Sequence, residues 1–368
     1  IRDYKVTVVQ TCALPIWPEC SSWASPGSGI PRGMSPVSVA VVGATGAVGQ
    51  EFLRLFEQRD FPVGKLKLLA SERSAGKQYT FRGDTVAVEL LNAAAFADVD
   101  VAFFSAGASR SREFAPAALA AGALVVDNSS AFRMDSNVPL VIPEVNGELI
   151  RRDHRLYPVA NCSAIILLMA IAPLRHLGRI ERIIVSTYQS ASGAGAAAMR
   201  ELEEQTRAVL NGEPAVPKVL PHPYAFNLFS HNTAINEHGY NEEEWKVIEE
   251  SRKMLGMPNL KINVTCVRVP VLRAHSESIT VEFADEAPAE EAVRGAVAAF
   301  PGVRLVDDRA GNHFPMPAEA SGIDEVLVGR IRKDVSNPNA ICLFCSGDQL
   351  LKGAALNAVQ IAERFLEL

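Results

Sequence analysis

The chain has 368 residues, 48% of them hydrophobic and 21% charged, with a net charge of −6. That length exceeds one ordinary core and points to two domains, while the negative balance gives no general attraction to nucleic acid or anionic membrane, so any anion must be met by locally placed Arg and Lys. Six cysteines without regular spacing argue against a disulfide framework and for a reducing compartment, hence the cytoplasm.

Residues 1–33 lack periodicity and collect Pro, Ser, Gly, Trp and Cys in no foldable order. They carry no secretory signal pattern, and VTVVQTCALPI within them resembles translated adapter sequence joined to a gene. The expectation is a non-native or disordered leader, with Met34 as the true start. A buried strand follows over 38–42, and then the turn Gly43-Ala44-Thr45-Gly46-Ala47-Val48-Gly49 opens an amphipathic helix with Val48, Phe52, Leu55 and Phe56 on one face. Strand, glycine turn and helix form the setting in which backbone approaches a pyrophosphate and a helix N-terminus stabilises its charge. The spacing is GxxGxxG rather than GxGxxG, so a tight turn with no ligand is the competing reading.

A second strand over 66–70 ends in Ser71-Glu72-Arg73-Ser74, where a ribose would be read. Glu72 favours a free 2′-hydroxyl; Arg73 between two serine hydroxyls favours a 2′-phosphate and hence NADP. Further strands over 99–104 and 123–126, alternating with helical stretches, predict a parallel doubly wound sheet whose ligands gather at the carboxyl ends of the strands. After the second of these comes Arg133, in a loop, available to an anion or simply to solvent.

Val159-Ala160-Asn161-Cys162-Ser163 then leads into the apolar run 164–172, which Pro173 halts well short of a bilayer span. A thiol at a helix start meets unpaired N–H groups and partial positive charge, which lower its pKa and can hold an oxyanion. The bland alternative is a buried structural cysteine. Beyond it the pattern shifts to longer strands over 182–188, 262–271, 278–284, 326–332 and 340–345, a mixed α+β domain.

Arg268 and His275 fall at one of these strands and its exit. A near-neutral His can move protons for a thiol, and a planar Arg fork suits a carboxylate; a structural His and a structural ion pair are the alternatives. Glu243 and Lys246, three apart on a helix over 241–255, share a face that is usually solvated. Cys342 and Cys345 have CxxC spacing inside a strand, with no second pair or His ligands, so no metal site is expected. The helix over 349–368 has an apolar face, Leu351, Ala355, Ala358, Ala362 and Phe365, that needs a partner surface.

Nine segments in order, VAVVGATGAVG, SERSAG, VVDNSSAFRM, VIPEVN, PVANCSAI, STYQSASGAG, EEEWK, VTCVRVPVLRAHSES and GDQLLKGAALNAVQIAE, resemble aspartate-semialdehyde dehydrogenase from about Ser38 to the C-terminus. The resemblance implies a Rossmann-type doubly wound NADP-binding domain over 34–161 plus 349–368, a catalytic and dimerisation domain over 162–348, and a homodimer acting in lysine, threonine, methionine and isoleucine biosynthesis. It makes Cys162 the acylated nucleophile, His275 the acid/base and Gln189 the residue that orients the intermediate. Arg268 would grip the substrate α-carboxylate with Glu243 near its amino group, and Arg133 and Lys246 would hold phosphate. Gly43, Thr45, Gly46, Ala47, Val48, Gly49, Arg73, Ser74, Ser192, Gly193 and Gln349 would contact NADP.

The chemistry of these residues agrees with that assignment: a thiolate attacks an acyl phosphate, phosphate leaves, and the thioester accepts a hydride more readily than a carboxylate would. Two rivals follow. An N-acetyl-glutamyl-phosphate reductase type would be expected to surround its nucleophile as Gly-Cys-Tyr, whereas Asn161-Cys162-Ser163 stands here. A catalytically silent nucleotide-binding paralogue should have lost the thiol or the His, yet Cys162, Gln189, Arg268 and His275 are all present.

Overall fold

The computed structural model describes residues 35–368; the leader expected over 1–33 and the start at Met34 lie outside the described residues. The first sheet is built from β1 (Val37–Val42), β2 (Val63–Ala70), β3 (Gln78–Phe81), β4 (Asp84–Leu90), β5 (Val101–Phe104), β6 (Leu124–Asp127) and β7 (Leu156–Pro158), in the order β3-β4-β2-β1-β5-β6-β7. All neighbours pair in parallel except β3 with β4. From Val39 to Val42, β1 is almost wholly buried, because a parallel strand is covered by helices on both faces. Helices α1 (Ala47–Gln58), α2 (Ala108–Ala120) and α3 (Pro143–Asn146) belong to this half.

After β1 the chain adds β2 on one side and β5 on the other, so the Gly43 to Gly49 turn lies at the point where strand order reverses, the position at which doubly wound sheets bind ligands. Sequence periodicity overlooked the β3–β4 hairpin. Its two loop residues, Arg82 (φ 50°) and Gly83 (φ 87°), both take the left-handed conformation a tight hairpin turn demands, and Arg is an unusual residue for the first of them.

Next comes α4 (Cys162–Ile171), buried from Ser163 to Ile171 and packed against the helix Glu242–Leu255 and the strands His275–Phe283 and Ala340–Gly347. Each of its fully buried Ile and Leu side chains contributes about 1.5–3 kcal/mol. The second sheet has the order β12-β13-β14-β11-β8-β10-β9, built from β8 (Ile180–Gln189), β9 (Phe229–Ser230), β10 (Lys261–Arg268), β11 (His275–Phe283), β12 (Val303–Leu305), β13 (Val326–Lys333) and β14 (Ala340–Gly347). Its helices are α5 (Ala196–Leu210), α6 (Glu242–Leu255), α7 (Glu290–Ala299) and α8 (Pro317–Ala320).

Three boundaries differ from the sequence reading in ways that matter. The strand expected over 262–271 stops at Arg268, since Pro270 cannot donate to a ladder; the strand expected over 278–284 begins at His275; and the helix expected from 349 opens as a π-helical turn (Leu351–Ala355) before α9 (Leu356–Glu367). Arg268 and His275 therefore end one strand and start the next. The last helix packs on α1, α3 and β6, so the chain's end returns to the first sheet. Lys352 in the π turn is buried there, its Nζ 2.5 Å from Glu144 and 2.7 Å from Gln360.

Candidate active site

The register of the second sheet explains why the predicted residues meet. Arg268 pairs with Gln189, and His275 pairs with Gly347 one position beyond the Ser276–Tyr188 pair, so Arg268, Gln189 and His275 form one row across β10, β8 and β11. Because side chains alternate, the rows two and four positions deeper share this face: first Cys266, Thr187, Glu277 and Cys345, then Val264, Val185, Ile279 and Leu343. The polar row is the outermost, at the carboxyl ends of β8 and β10, and the N-terminus of α4 abuts it.

Glu277 in the second row is fully buried, and neither carboxylate oxygen has a hydrogen-bond partner. Burial holds its pKa well above the ordinary carboxylate range. A raised folded pKa gives stability that is complete below the unfolded value of about 4.3 and is lost as pH rises toward the folded value, with a slope near ~1.4 kcal/mol per pH unit. Glu277→Gln is thus expected to gain stability over the parent progressively as pH rises above about 5 in thermal denaturation. A difference that stays constant with pH would count against a neutral buried acid.

Cys162 is the first residue of α4. Asn161 caps the helix, its Oδ1 accepting from Ser163 N–H (2.9 Å) and Ala164 N–H (3.2 Å), while Asn161 N–H donates to Glu250 Oε2 (2.5 Å). The expectation that several free N–H groups would steady an oxyanion is narrowed accordingly, because the cap uses two of them and Cys162 N–H is left. Cys162 keeps some exposure at the cleft mouth, yet its surroundings and the Glu243 carboxylate push the thiol up to about 12, against the pull of Arg268 and Arg133. The expected lowering of its pKa by the helix start does not prevail, so the resting group is a thiol. Gly353 of the π turn lies alongside: a Cβ there would stand 2.9 Å from Cys162 Cβ.

Gln189 reaches the nucleophile's neighbours, its Nε2 donating to Ser163 Oγ (2.8 Å) and Glu243 Oε1 (3.2 Å) while its buried Oε1 has no partner. Glu243 Oε1 also accepts from Asn161 Nδ2 (2.8 Å). The solvated reading of Glu243 fails, and its pKa is lowered although desolvation works the other way, the Asn161 amide and the Lys246 and Arg268 charges favouring the carboxylate. His275 Nδ1 lies 3.0 Å from both Ser190 N–H and Ser190 Oγ. The backbone N–H donates to a bare Nδ1, which puts the neutral ring's proton on Nε2; Nε2 accepts a proton only in the other tautomer, whose Nδ1–H would donate to Ser190 Oγ. Burial, with Arg268 and His231 next, lowers the His275 pKa well below its ordinary value, leaving a neutral ring.

Arg133 is buried rather than a surface residue, paired with Glu250 (3.1 Å) and donating to Asn128 O (3.0 Å), with its Nε unpartnered. Glu250 therefore ties Arg133 to the α4 cap. Lys246 is partly exposed and paired with Glu242 (2.7 Å), not with Glu243.

On the first sheet, Gly43 (φ 84°) leaves no room for a Cβ, which would collide with Ser105 O, and Gly49 leaves none against Gly43 O. Gly46 starts α1 with no side-chain cap, unlike α4 and α6, so the α1 N-terminus keeps its donors for an anion. Thr45 Oγ1 reaches Ser74 Oγ (3.4 Å), and Arg73 beside it is exposed. These residues fit a nicotinamide dinucleotide. Ser192, Gly193 and Gln349 gather beside His275: Gln349 Nε2 donates to Ser192 Oγ, its Oε1 accepts from Ala274 N–H (3.0 Å), and a Cβ on Gly193 would stand 3.0 Å from His275 Nε2.

Sequence reasoning missed two participants. Arg273 joins the halves, its Nε 2.6 Å from Asp348 and its Nη2 2.7 Å from Glu51 of α1. His231 accepts from Arg268 Nη2 at 2.8 Å. Both sit in irregular segments where periodicity is silent, although the charged Arg273 two residues before His275 was a usable signal. Cys342 and Cys345, three apart on one strand, point to opposite faces and cannot converge on one ion.

Comparison with known proteins identifies the family. Residues 38–152 match the model of the semialdehyde dehydrogenase NAD binding domain, and residues 171–352 that of the semialdehyde dehydrogenase dimerisation domain. The aspartate-semialdehyde dehydrogenase of Synechocystis sp. is 51% identical over 333 residues, covering 90% of this chain and 98% of that protein. That of Bacillus subtilis is 44% identical over 337 residues, covering 90% and 97%. The crystal structure of aspartate semialdehyde dehydrogenase II complexed with ASA from Vibrio cholerae superposes with a TM-score of 0.86 at 42% identity, covering 90% of this chain and 99% of that one.

Proposed function

Because the chain belongs to the aspartate-semialdehyde dehydrogenase family, we propose that it catalyses the reversible, NADPH-dependent reductive dephosphorylation of L-4-aspartyl phosphate to L-aspartate 4-semialdehyde and phosphate, through a thioester on Cys162. This places it in amino-acid biosynthesis. The observation that carries the reading is the single row of Arg268, Gln189 and His275 facing the capped helix start at Cys162, with Glu243 on both Asn161 and Gln189.

His275 takes the thiol proton on Nε2 from the tautomer whose Nδ1–H donates to Ser190 Oγ, as Cys162 attacks the acyl phosphate, a transfer between two groups that both rest uncharged. Phosphate departs toward Arg133 and Lys246, Lys246 exchanging Glu242 for it. Arg268 grips the α-carboxylate, Glu243 meets the ammonium, and Gln189 orients the acyl group. Cys162 N–H steadies the oxyanion that forms and collapses. The bound nicotinamide dinucleotide supplies the hydride that reduces the thioester. Gly43, Thr45, Gly46, Ala47, Val48 and Gly49 would cradle its pyrophosphate, Arg73 and Ser74 its 2′-phosphate, and Ser192, Gly193 and Gln349 its nicotinamide end.

Residues 35–161 with 349–368 read as the nucleotide domain and 162–348 as the catalytic one. The outer face of the second sheet bears Tyr188, Val269, Val271 and Phe344 around a shallow cavity, with Leu272 and Met316 exposed nearby. A second copy of the chain is the natural cover for that face, giving a homodimer. No described helix is long and apolar enough to cross a membrane, and a chemistry that needs a free thiol suits the reducing cytoplasm.

The purified protein is expected to form NADPH from aspartate semialdehyde only with phosphate or arsenate present. Equal turnover without either anion would refute acyl transfer to phosphate.

A further inference from the structure

We propose that His231 is a positioning residue for substrate recognition, holding the Arg268 guanidinium in place with a neutral acceptor so that its whole positive charge stays available to the substrate carboxylate. The inference rests on the reading of Arg268 as the carboxylate grip.

Arg268 is buried at the end of β10, where two of its donors are spoken for: Nη1 donates to Ser190 O (3.1 Å) and Nη2 to His231 Nε2 (2.8 Å). Its Nε is buried without a partner. A guanidinium cannot lose its proton, so the contact requires a lone pair on His231 Nε2. The neutral ring then carries its proton on Nδ1, which lies 3.3 Å from Thr233 Oγ1. Burial, reinforced by Arg268, keeps the ring neutral by lowering its pKa to about 4 although Glu243 pulls the other way.

The acceptor's chemistry is the point. A buried Arg is usually held by a carboxylate, but a carboxylate here would neutralise the charge and compete with the substrate's own carboxylate for the fork. An imidazole nitrogen fixes the orientation and leaves the charge unspent. Thr233 extends the arrangement, because its Oγ1 also accepts from Glu243 N–H (3.3 Å). The segment itself is pinned to the sheet by His231 N–H on Cys266 O (3.0 Å) and by the Phe229–Arg268 pairing of β9 with β10. One chain, Arg268 to His231 to Thr233 to Glu243, thus sets the spacing between the group that reads the carboxylate and the group that reads the ammonium.

The test is steady-state kinetics of the intact enzyme in the semialdehyde-oxidising direction, varying one substrate at a time. His231→Ala is expected to raise the KM for aspartate semialdehyde about tenfold or more while kcat and the KM values for phosphate and NADP+ change little, as for a lost orienting contact. His231→Gln, which keeps a neutral acceptor, should restore most of the affinity. His231→Asp, which keeps an acceptor but adds a negative charge, should not. Equal KM values for the Gln and Asp variants overturn the proposal, as does an unchanged KM in His231→Ala when Arg268→Ala raises it. An unchanged KM in Arg268→Ala itself sinks instead the underlying assignment of the carboxylate grip.

Discussion

Cys162→Ala is expected to lower kcat by roughly 10⁴- to 10⁶-fold, the loss seen when the nucleophile of a covalent mechanism is removed. The side chain lost is small, and the fold does not depend on it: α4 is capped by Asn161 and anchored by its apolar residues, and Gly353 already lies close to the Cys162 Cβ, which alanine keeps. NADP+ affinity, measured by fluorescence titration, should therefore stay within about twofold, since the first-sheet cradle is untouched and only an uncharged thiol has gone. A variant that retains a tenth of the parent rate would remove the thioester from the mechanism. One that loses cofactor binding as well would show that the thiol supports the cleft rather than reacting in it.

His275→Asn should cost about 10²- to 10⁴-fold in kcat, the range of general acid–base catalysis. Asn offers an acceptor to Ser190 N–H but has no titratable nitrogen at the position of Nε2. The pH profile separates the explanations. Burial lowers the His275 pKa well below 6.5, so the neutral ring is the dominant form above that depressed value and is lost only as pH falls through it. The parent's kcat/KM is expected to carry an acid limb centred below pH 6.5, and the variant to lack it. An acid limb that survives unchanged in His275→Asn assigns the titration to another group and confines His275 to a steric role.

Both effects trace to one structural arrangement. In the proposed mechanism the thiol and the imidazole both start uncharged, and the thiolate forms as a proton moves from one to the other.

The linear pattern alone was enough for the nucleotide half, where each requirement is local. A buried strand, a turn whose glycines alone fit, and an amphipathic helix lie within about twenty consecutive residues, and β1, α1 and the turn stand where their periodicity placed them. The start of α4 was legible as well, as an apolar run behind Cys162, but the Asn161 cap that takes up two of its N–H groups was not read. What periodicity could not decide is anything set by register between distant strands. Arg268, Gln189 and His275 share a row only because β8 pairs with β10 in parallel and with β11 in antiparallel fashion at one particular offset, and a slip of one residue would turn each side chain to the opposite face. Burial was equally hidden: Arg133 and Glu243 have the composition of surface residues, and only packing against Glu250 and Asn161 makes them parts of the site. His231 and Arg273 lay in segments with no period to read, and their roles come wholly from the partners that tertiary folding brings to them. Hydrogen-bond and desolvation energies depend on neighbours in space, and spacing along the chain carries that information only within a turn or a single strand.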